Sequence, residues 1–227
     1  MNATTHLHLR PIPALADNYI WMLHDDLGNA LVVDPGEATP VLDALQSRQL
    51  QLRAILLTHH HADHIGGSAH LHALTAASIH APDDPRIKLA THRVKDGDRI
   101  ELGAPQCAFE VLAVPGHTLS HVAFYGEDLL FCGDTLFSVG CGRLFEGTPA
   151  QMLASLQRLA ALPAHTQVCC GHEYTLANGA FAQSIEPANV MLRQRLQAVR
   201  CKRQAGLPSL PSRMSDELAC NPFLRID

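Results

Sequence analysis

The sequence predicts an α+β fold, two β-sheets sandwiched by helices. Three observations carry that expectation. Short apolar runs alternate with helical patterns towards both ends of the chain. Between them the chain is strand-rich, with runs at 98–102, 107–114, 121–125 and 128–132 separated by Gly, Pro and Asp as in stacked hairpins. Finally, 47% of the 227 residues are hydrophobic and the net charge is only −5, which excludes disorder as the dominant state.

Taken in order, Tyr19–Leu23, Ala30–Val33 and Ala54–Leu57 read as strands, the second closed by Asp34-Pro35-Gly36 and the third by Thr58-His59. Between the last two, Thr39 is a candidate helix N-cap and Pro40 fits the first helical position, with Val41, Leu42 and Leu45 on one face. A second helix is expected from Gly67 to Ala76. After the hairpins, Thr148-Pro149 repeats the cap-plus-proline signal ahead of Met152, Leu153, Leu156 and Leu159, and Thr166–Cys170 is one more buried strand. The character then changes. Residues 187–215 hold no Asp or Glu but carry Arg193, Arg195, Arg200, Lys202, Arg203 and Arg213, with Met191, Leu192, Leu196 and Val199 at helical spacing and Gly206 as a stop. Such a basic helix is either a solvated face or a surface turned towards an anion. The expected division is a body over 1–173 and a helical region over 174–227.

Composition excludes several classes. No apolar run approaches the ~18–20 residues of a membrane span, and Met1–His8 lacks the apolar core of a signal peptide. A cytoplasmic, monomeric protein with no membrane partner is expected. Mild acidity argues against a nucleic-acid partner. The seven cysteines form no CxxC pair, so buried reduced thiols are expected rather than a disulfide framework. The unusual count is histidine, 15 against 17 Lys plus Arg.

Four of those histidines fall in Thr58-His59-His60-His61-Ala62-Asp63-His64, directly after an apolar run. Burying so many polar groups would cost several kcal/mol without a metal or hydrogen bonds to compensate. In an extended segment His59 and His61 share a face and His60 points away. Asp63 and His64 return to the same edge as the chain turns into a helix. The pattern offers two imidazoles to one metal and a carboxylate plus an imidazole to another. A polar loop or a histidine-rich metal scavenger is the bland alternative. His117 in Pro115-Gly116-His117-Thr118, Asp134 in Gly133-Asp134-Thr135 and His172 in Gly171-His172-Glu173 each follow an apolar strand beside a glycine, where side chains converge on one rim of a sheet.

In this order, THHHADH, PGHT, GDT and GHE resemble the metallo-β-lactamase superfamily. Within it the chain resembles the glyoxalase II (hydroxyacylglutathione hydrolase) family, through Pro13–Tyr19, Gly133–Phe137, Gly140–Gly147, Gly171–Thr175 and the closing Asn221–Arg225. The resemblance implies an αββα sandwich followed by a short helical substrate-binding region. It assigns His59, His61 and His117 to one divalent metal and Asp63, His64 and His172 to a second, with Asp134 bridging. Zinc is the expected ion, with iron and manganese open. Asp34 would anchor a ligand from behind. His121 falls outside the pattern.

The implied reaction is hydrolysis of S-D-lactoylglutathione to glutathione and D-lactate, the second step of methylglyoxal detoxification. Two cations would deprotonate a bridging water, and Asp63 would orient the resulting hydroxide as the catalytic residue. Arg143, Tyr174 and Arg225 would hold the glutathione moiety, helped by the basic stretch Arg193–Arg203. Phe145 stands where some relatives have tyrosine, so one hydroxyl contact is expected to be missing, and longer relatives carry another basic contact past the position of Asp227. The competing readings are a persulfide dioxygenase with one iron, a general thioesterase, and a non-catalytic metal-binding protein.

Overall fold

The computed structural model describes residues 6–225; the N-terminal reading over Met1–Thr5 and the chain end at Asp227 lie outside them. A first sheet contains β1 (Leu7–Ala14), β2 (Asn18–Asp25), β3 (Asn29–Val33), β4 (Gln51–Leu56), β5 (Ser78–Pro82) and β6 (His92–Val94), ordered as numbered. Its first three strands are antiparallel and β3 to β6 run parallel. Helices α1 (Thr39–Arg48), α2 (Ala62–Ile65) and α3 (Ser68–Thr75) interrupt it. The second sheet begins with β7 (Arg99–Gly103), β8 (Gln106–Ala113), β9 (Val122–Gly126) and β10 (Leu129–Gly133). A small hairpin follows, β11 (Leu136–Phe137) and β12 (Gly140–Cys141), and then helix α4 (Pro149–Ala160). Strands β13 (Gln167–Cys170) and β14 (Ser212–Arg213) complete the second sheet, in the order β14-β13-β10-β9-β8-β7. Helices α5 (Thr175–Ile185), α6 (Val190–Gln204) and α7 (Met214–Cys220) form the closing helical region.

Strand β2 shows why the two sheets stack. Tyr19, Trp21 and Leu23 join the core between the sheets, with Phe109, Phe124 and Phe131 from the second. The intervening Ile20 and Met22 face the other way, into a cluster with Val41 and Leu45 of α1 and Leu71 of α3. A strand buried on both faces reads as a continuous apolar run. Helix α4 contributes Met152, Leu156 and Leu159 to the first cluster. Two hydrogen bonds tie the sheets at the edge that matters: Trp21 Nε1 donates to the Cys170 carbonyl (2.9 Å) and the Tyr19 amide to that of Gly171 (2.8 Å).

Most expected elements are present, two expectations are corrected, and one strand was not foreseen. Thr39 does not cap α1: Ala38 holds the cap position without a side-chain bond, and Pro40 follows inside the first turn, where a missing N–H costs nothing. Thr148 does cap α4, reinforced by the reciprocal Gln151 bond. The basic stretch is not free of counter-charge, because partners arrive from α7. Arg195 pairs with Asp216 (3.0 Å) and with the fully buried Glu217 (3.2 Å). Strand β1 escapes the sequence reading because Pro11 and Pro13 argue against a strand. It lies at the sheet edge, where proline is tolerated. All seven cysteines are free thiols, and five of them are buried.

Candidate metal centre

Every expected donor sits just past a strand or on the turn that follows it. His59 and His61 follow β4, Asp63 and His64 lie on α2, and His117, Asp134 and His172 follow β8, β10 and β13. The seven residues converge from both sheets. His61 Nδ1 lies 3.1 Å from His59 Nε2 and 3.0 Å from His117 Nε2. Asp63 Oδ2 lies 3.5 Å from His64 Nε2 and 3.4 Å from His172 Nε2. Between the two groups, Asp134 directs Oδ1 at His64 Nε2 (3.3 Å) and Oδ2 at both His117 Nε2 (3.5 Å) and His172 Nε2 (3.4 Å). His60 points out of the cluster, with Nδ1 3.6 Å from Asp84 and Nε2 3.8 Å from Glu146.

The groups behind the rings decide which nitrogen carries the proton. Thr58 donates its hydroxyl to Asp34 Oδ2 (2.7 Å), so its oxygen accepts from His59 Nδ1 (3.0 Å). His117 Nδ1 donates to the Arg143 carbonyl (2.8 Å), His64 Nδ1 to Asp34 Oδ2 (3.0 Å) and His172 Nδ1 to Asp17 Oδ1 (2.8 Å). Each Nε2 is thus the nitrogen aimed inwards, the one a metal requires. Lone pairs at such separations repel unless a proton or a cation lies among them. Moreover, His64 Nε2 and Asp134 Oδ1 are buried with no hydrogen-bond partner. Two donor groups, His59/His61/His117 and Asp63/His64/His172, each gather within 4.8 Å and fit a divalent cation of mixed nitrogen and oxygen preference. Asp34 can also be grouped with His59 and His64, but its oxygens are already engaged by Thr58 and the far side of His64.

Charge follows the same division. Burial keeps the His59, His61 and His117 rings neutral, below the usual histidine range. Burial also opposes charge on Asp134, yet His64 and His172 outweigh it and hold the carboxyl well below the carboxylate range. Burial acts against protonated His172 too, but the hydrogen bonds it donates to Asp134 and Asp63 raise it to about 10. A cation bound at the carboxylate-rich half would take the place of such a proton.

Two glycines explain why ligand-type residues stand beside glycine here. Gly133 has φ +48°, and a Cβ there would come within 2.3 Å of Thr58 Oγ1. A Cβ at Gly171 would come within 2.6 Å of Asp134 Oδ1. Both permit close approach of backbone to donor atoms.

One member of the site escaped the sequence reading. His121 is fully buried, stacked on His59 (4.6 Å between centroids, 16°), and accepts the Asp134 amide at Nε2 (3.2 Å). Burial pushes its pKa down to about 3. Its signal was slight: a histidine opening the wholly apolar run of β9.

Above the donors lies a cavity of about 660 Å³ lined by Phe137, Arg143, Phe145 and Tyr174. Tyr174 stacks on His172 (4.7 Å, 8°), and Phe145 sets its edge against His61 (5.5 Å, 90°). Of the three expected glutathione contacts, Arg143 and Tyr174 are brought to this cavity. Arg225 is not: its guanidinium pairs with Glu186 (2.9 Å) and reaches the Leu218 carbonyl. Nor do Arg193 and Arg203 line it. Arg193 donates to the Pro187 carbonyl, and Arg203 to Tyr19 and the Leu207 carbonyl.

A family model described as the metallo-beta-lactamase superfamily matches residues 16–172, and one described as the hydroxyacylglutathione hydrolase C-terminus matches 173–227. A hydroxyacylglutathione hydrolase of Methylobacillus flagellatus is 57% identical over 215 residues, 95% of this chain and 86% of that one. One of Xylella fastidiosa is 55% identical over 220 residues, 96% and 84% of the two chains. Among solved structures, TTHA1623 in a di-iron-bound form superposes with a TM-score of 0.68 at 27% identity, over 95% of this chain and 100% of that one. The two-sheet sandwich and the His/Asp cluster at its rim are those of the metallo-β-lactamase superfamily. Within that superfamily, the chain belongs to the hydroxyacylglutathione hydrolase family.

Proposed function

We propose that this protein hydrolyses 2-hydroxyacyl thioesters of glutathione, S-D-lactoylglutathione foremost, releasing glutathione and D-lactate. The observation that carries the reading is a seven-residue donor cluster under a cavity that holds a cation, Arg143, and a hydroxyl donor, Tyr174. Family membership over the whole match favours the hydrolase over a mononuclear iron dioxygenase. In this reading His59, His61 and His117 hold one divalent ion, Asp63, His64 and His172 hold another, and Asp134 serves both. Zinc is the expected ion. Ions so placed lower the pKa of water and polarise a carbonyl oxygen.

The chain's own groups do the rest. Asp63 accepts from Asn18 Nδ2 (3.1 Å), and a hydrogen bond from His172 outweighs burial in keeping it ionised, below the carboxylate range. As a hydrogen-bond acceptor it is placed to orient the attacking water or hydroxide. The acyl carbon gains that oxygen and the C–S bond breaks. The departing thiolate is a good leaving group, so no strong general acid is needed. Burial raises the Tyr174 phenol to about 12, which keeps it a donor at neutral pH. Phe137 and Phe145 give the cavity an apolar wall, and Arg143 attracts the carboxylates of glutathione. The test is incubation with S-D-lactoylglutathione while counting bound metal. Two ions per chain and thiol release lost on chelation support the reading, and metal binding without thiol release sinks it.

A further inference from the structure

The segment Gly142–Gly147 carries Arg143 and Phe145 over the cavity, and its apolar side chains stay partly in solvent, with the Phe145 ring edge-on against His61 and His117. Leu144 and Phe145 are 37% and 60% exposed. Its backbone is attached by the Phe145 amide to the His117 carbonyl (3.2 Å) and the Gly147 amide to that of Gly116 (3.0 Å). The Gly142 amide donates to the Thr135 carbonyl (3.1 Å), and the Arg143 carbonyl accepts from His117 Nδ1 (2.8 Å). Beyond these backbone ties, the segment is held by an ionic one. Glu146 accepts the Leu119 amide (2.8 Å) and pairs with Arg86, whose Nη1 donates to Oε1 and whose Nη2 lies 3.4 Å from Oε2. The same guanidinium also grips Asp84, through Nε to Oδ1 (2.8 Å) and Nη2 to Oδ2 (2.7 Å).

Asp84 is a firm base. It is 2% exposed, accepts the Ser120 hydroxyl, and belongs to a loop pinned by Arg93, which donates to the carbonyls of Pro82 (2.8 Å), Asp84 (2.9 Å) and Ile87. The ring of His60 fills the space beneath, between Asp84 and Glu146. One arginine therefore joins a buried, fixed carboxylate after β5 to the outer side of the exposed segment beside the cavity, whose inner side is tied through its backbone to His117 and Gly116. A planar fork serving two carboxylates suits arginine; a lysine ammonium would satisfy one at a time.

We infer that Arg86 is a positioning residue: by bridging Asp84 and Glu146 it holds Arg143 and Phe145 over the cavity and so sets affinity for an anionic thioester. This rests on the proposed hydrolase reading. The residue touches neither donor atoms nor cavity lining, so its loss should act on binding and leave the metal centre alone.

The test uses the metal-loaded full chain. Arg86→Ala and Glu146→Gln should each raise KM for S-D-lactoylglutathione about five- to tenfold, with kcat within about twofold and metal content unchanged. The double variant should be no worse than Arg86→Ala, since both remove one interaction. Arg86→Lys should recover only part of the loss. Amide exchange at Phe145 and Gly147 should quicken about tenfold in Arg86→Ala. Unchanged KM and unchanged exchange would overturn the inference, as would additive losses in the double variant or a joint fall of kcat and metal content. Should the wild type not hydrolyse this substrate, the functional reading fails separately, and the exchange data alone decide the latch.

Discussion

Asp34→Asn isolates what holds His64. The position has φ +52°, a left-handed conformation that asparagine tolerates, so the backbone should keep its course. The wild-type carboxylate takes three bonds: the Thr58 amide on Oδ1 (2.8 Å), and the Thr58 hydroxyl (2.7 Å) and His64 Nδ1 (3.0 Å) on Oδ2. An amide has one oxygen. With that oxygen on the Thr58 amide, its NH₂ group faces a hydroxyl and an imidazole N–H. The hydroxyl can turn and accept, keeping a lone pair for His59 Nδ1. The imidazole can do so only by moving its proton to Nε2, the atom aimed at the proposed metal. Losing one charge-assisted bond is worth ~1.5–3 kcal/mol, or about ten- to a hundredfold in metal affinity at the His64 group. The His59/His61/His117 group should be affected far less. Competition against chelators of graded strength, with residual metal counted, reads this directly. One equivalent should leave at a correspondingly weaker chelator while the other stays. Retention of both as in wild type would refute the role of Asp34, and simultaneous loss of both would refute separate support of the two groups.

Three further outcomes are expected. His60→Ala should keep its metal and a kcat within about threefold, because the ring faces Asp84 and Glu146; a loss matching His59→Ala would refute the alternation argument. Arg143→Ala should raise KM for lactoylglutathione by about tenfold or more at unchanged metal content, since the carbonyl that accepts from His117 remains. An equal loss on a thioester lacking glutathione's carboxylates would refute the anion-anchoring role. Burial, with His92 stacked at 4.5 Å, lowers His80 from 6.5 to about 4. The unfolded chain thus binds more protons between those values, and stability rises with pH there: the contribution is complete above about 6.5 and is lost as pH falls towards 4. Urea titrations at pH 7.5 and 5.5 should show wild type losing about 1 kcal/mol more than His80→Gln, and parallel losses would refute the assignment.

The donor cluster was legible because its chemistry is local. Ligand-type residues beside glycine at strand ends can be read from spacing alone, and strand alternation separated His60 from its neighbours. What resisted reading depends on distant chain. His121 looks like any histidine at a strand start until β9 carries it under His59. Arg225 reads as a free cation until Glu186, from the end of α5, takes it. The basic helix α6 looked unpartnered because its acids, Asp216 and Glu217, come from α7. Strand β1 was hidden by prolines that only an edge position excuses. For His121, Arg225 and α6 the deciding partner lies far along the sequence, outside any window of periodicity.

The same non-local pairing bears on how the centre keeps its shape. The first donor group draws His59 and His61 from the end of β4 and His117 from the end of β8, one from each sheet. The second draws Asp63 and His64 from the turn after β4 and His172 from the end of β13. Any slip between the sheets would therefore misplace both groups together. Packing resists it through the apolar interface of Trp21, Phe109, Phe124 and Phe131. Direction is resisted by hydrogen bonds next to the donors themselves: the Tyr19 amide on the Gly171 carbonyl lies one residue from His172, and Asn18 beside it donates to Asp63. The residues that orient the rings are likewise spread, with Asp34 on the first sheet's rim and Arg143 beyond the β11–β12 hairpin. A cation held between the two rims would add a further cross-link to these contacts. Support of this kind suits a catalytic centre, in which the donors must keep their angles while water and substrate come and go.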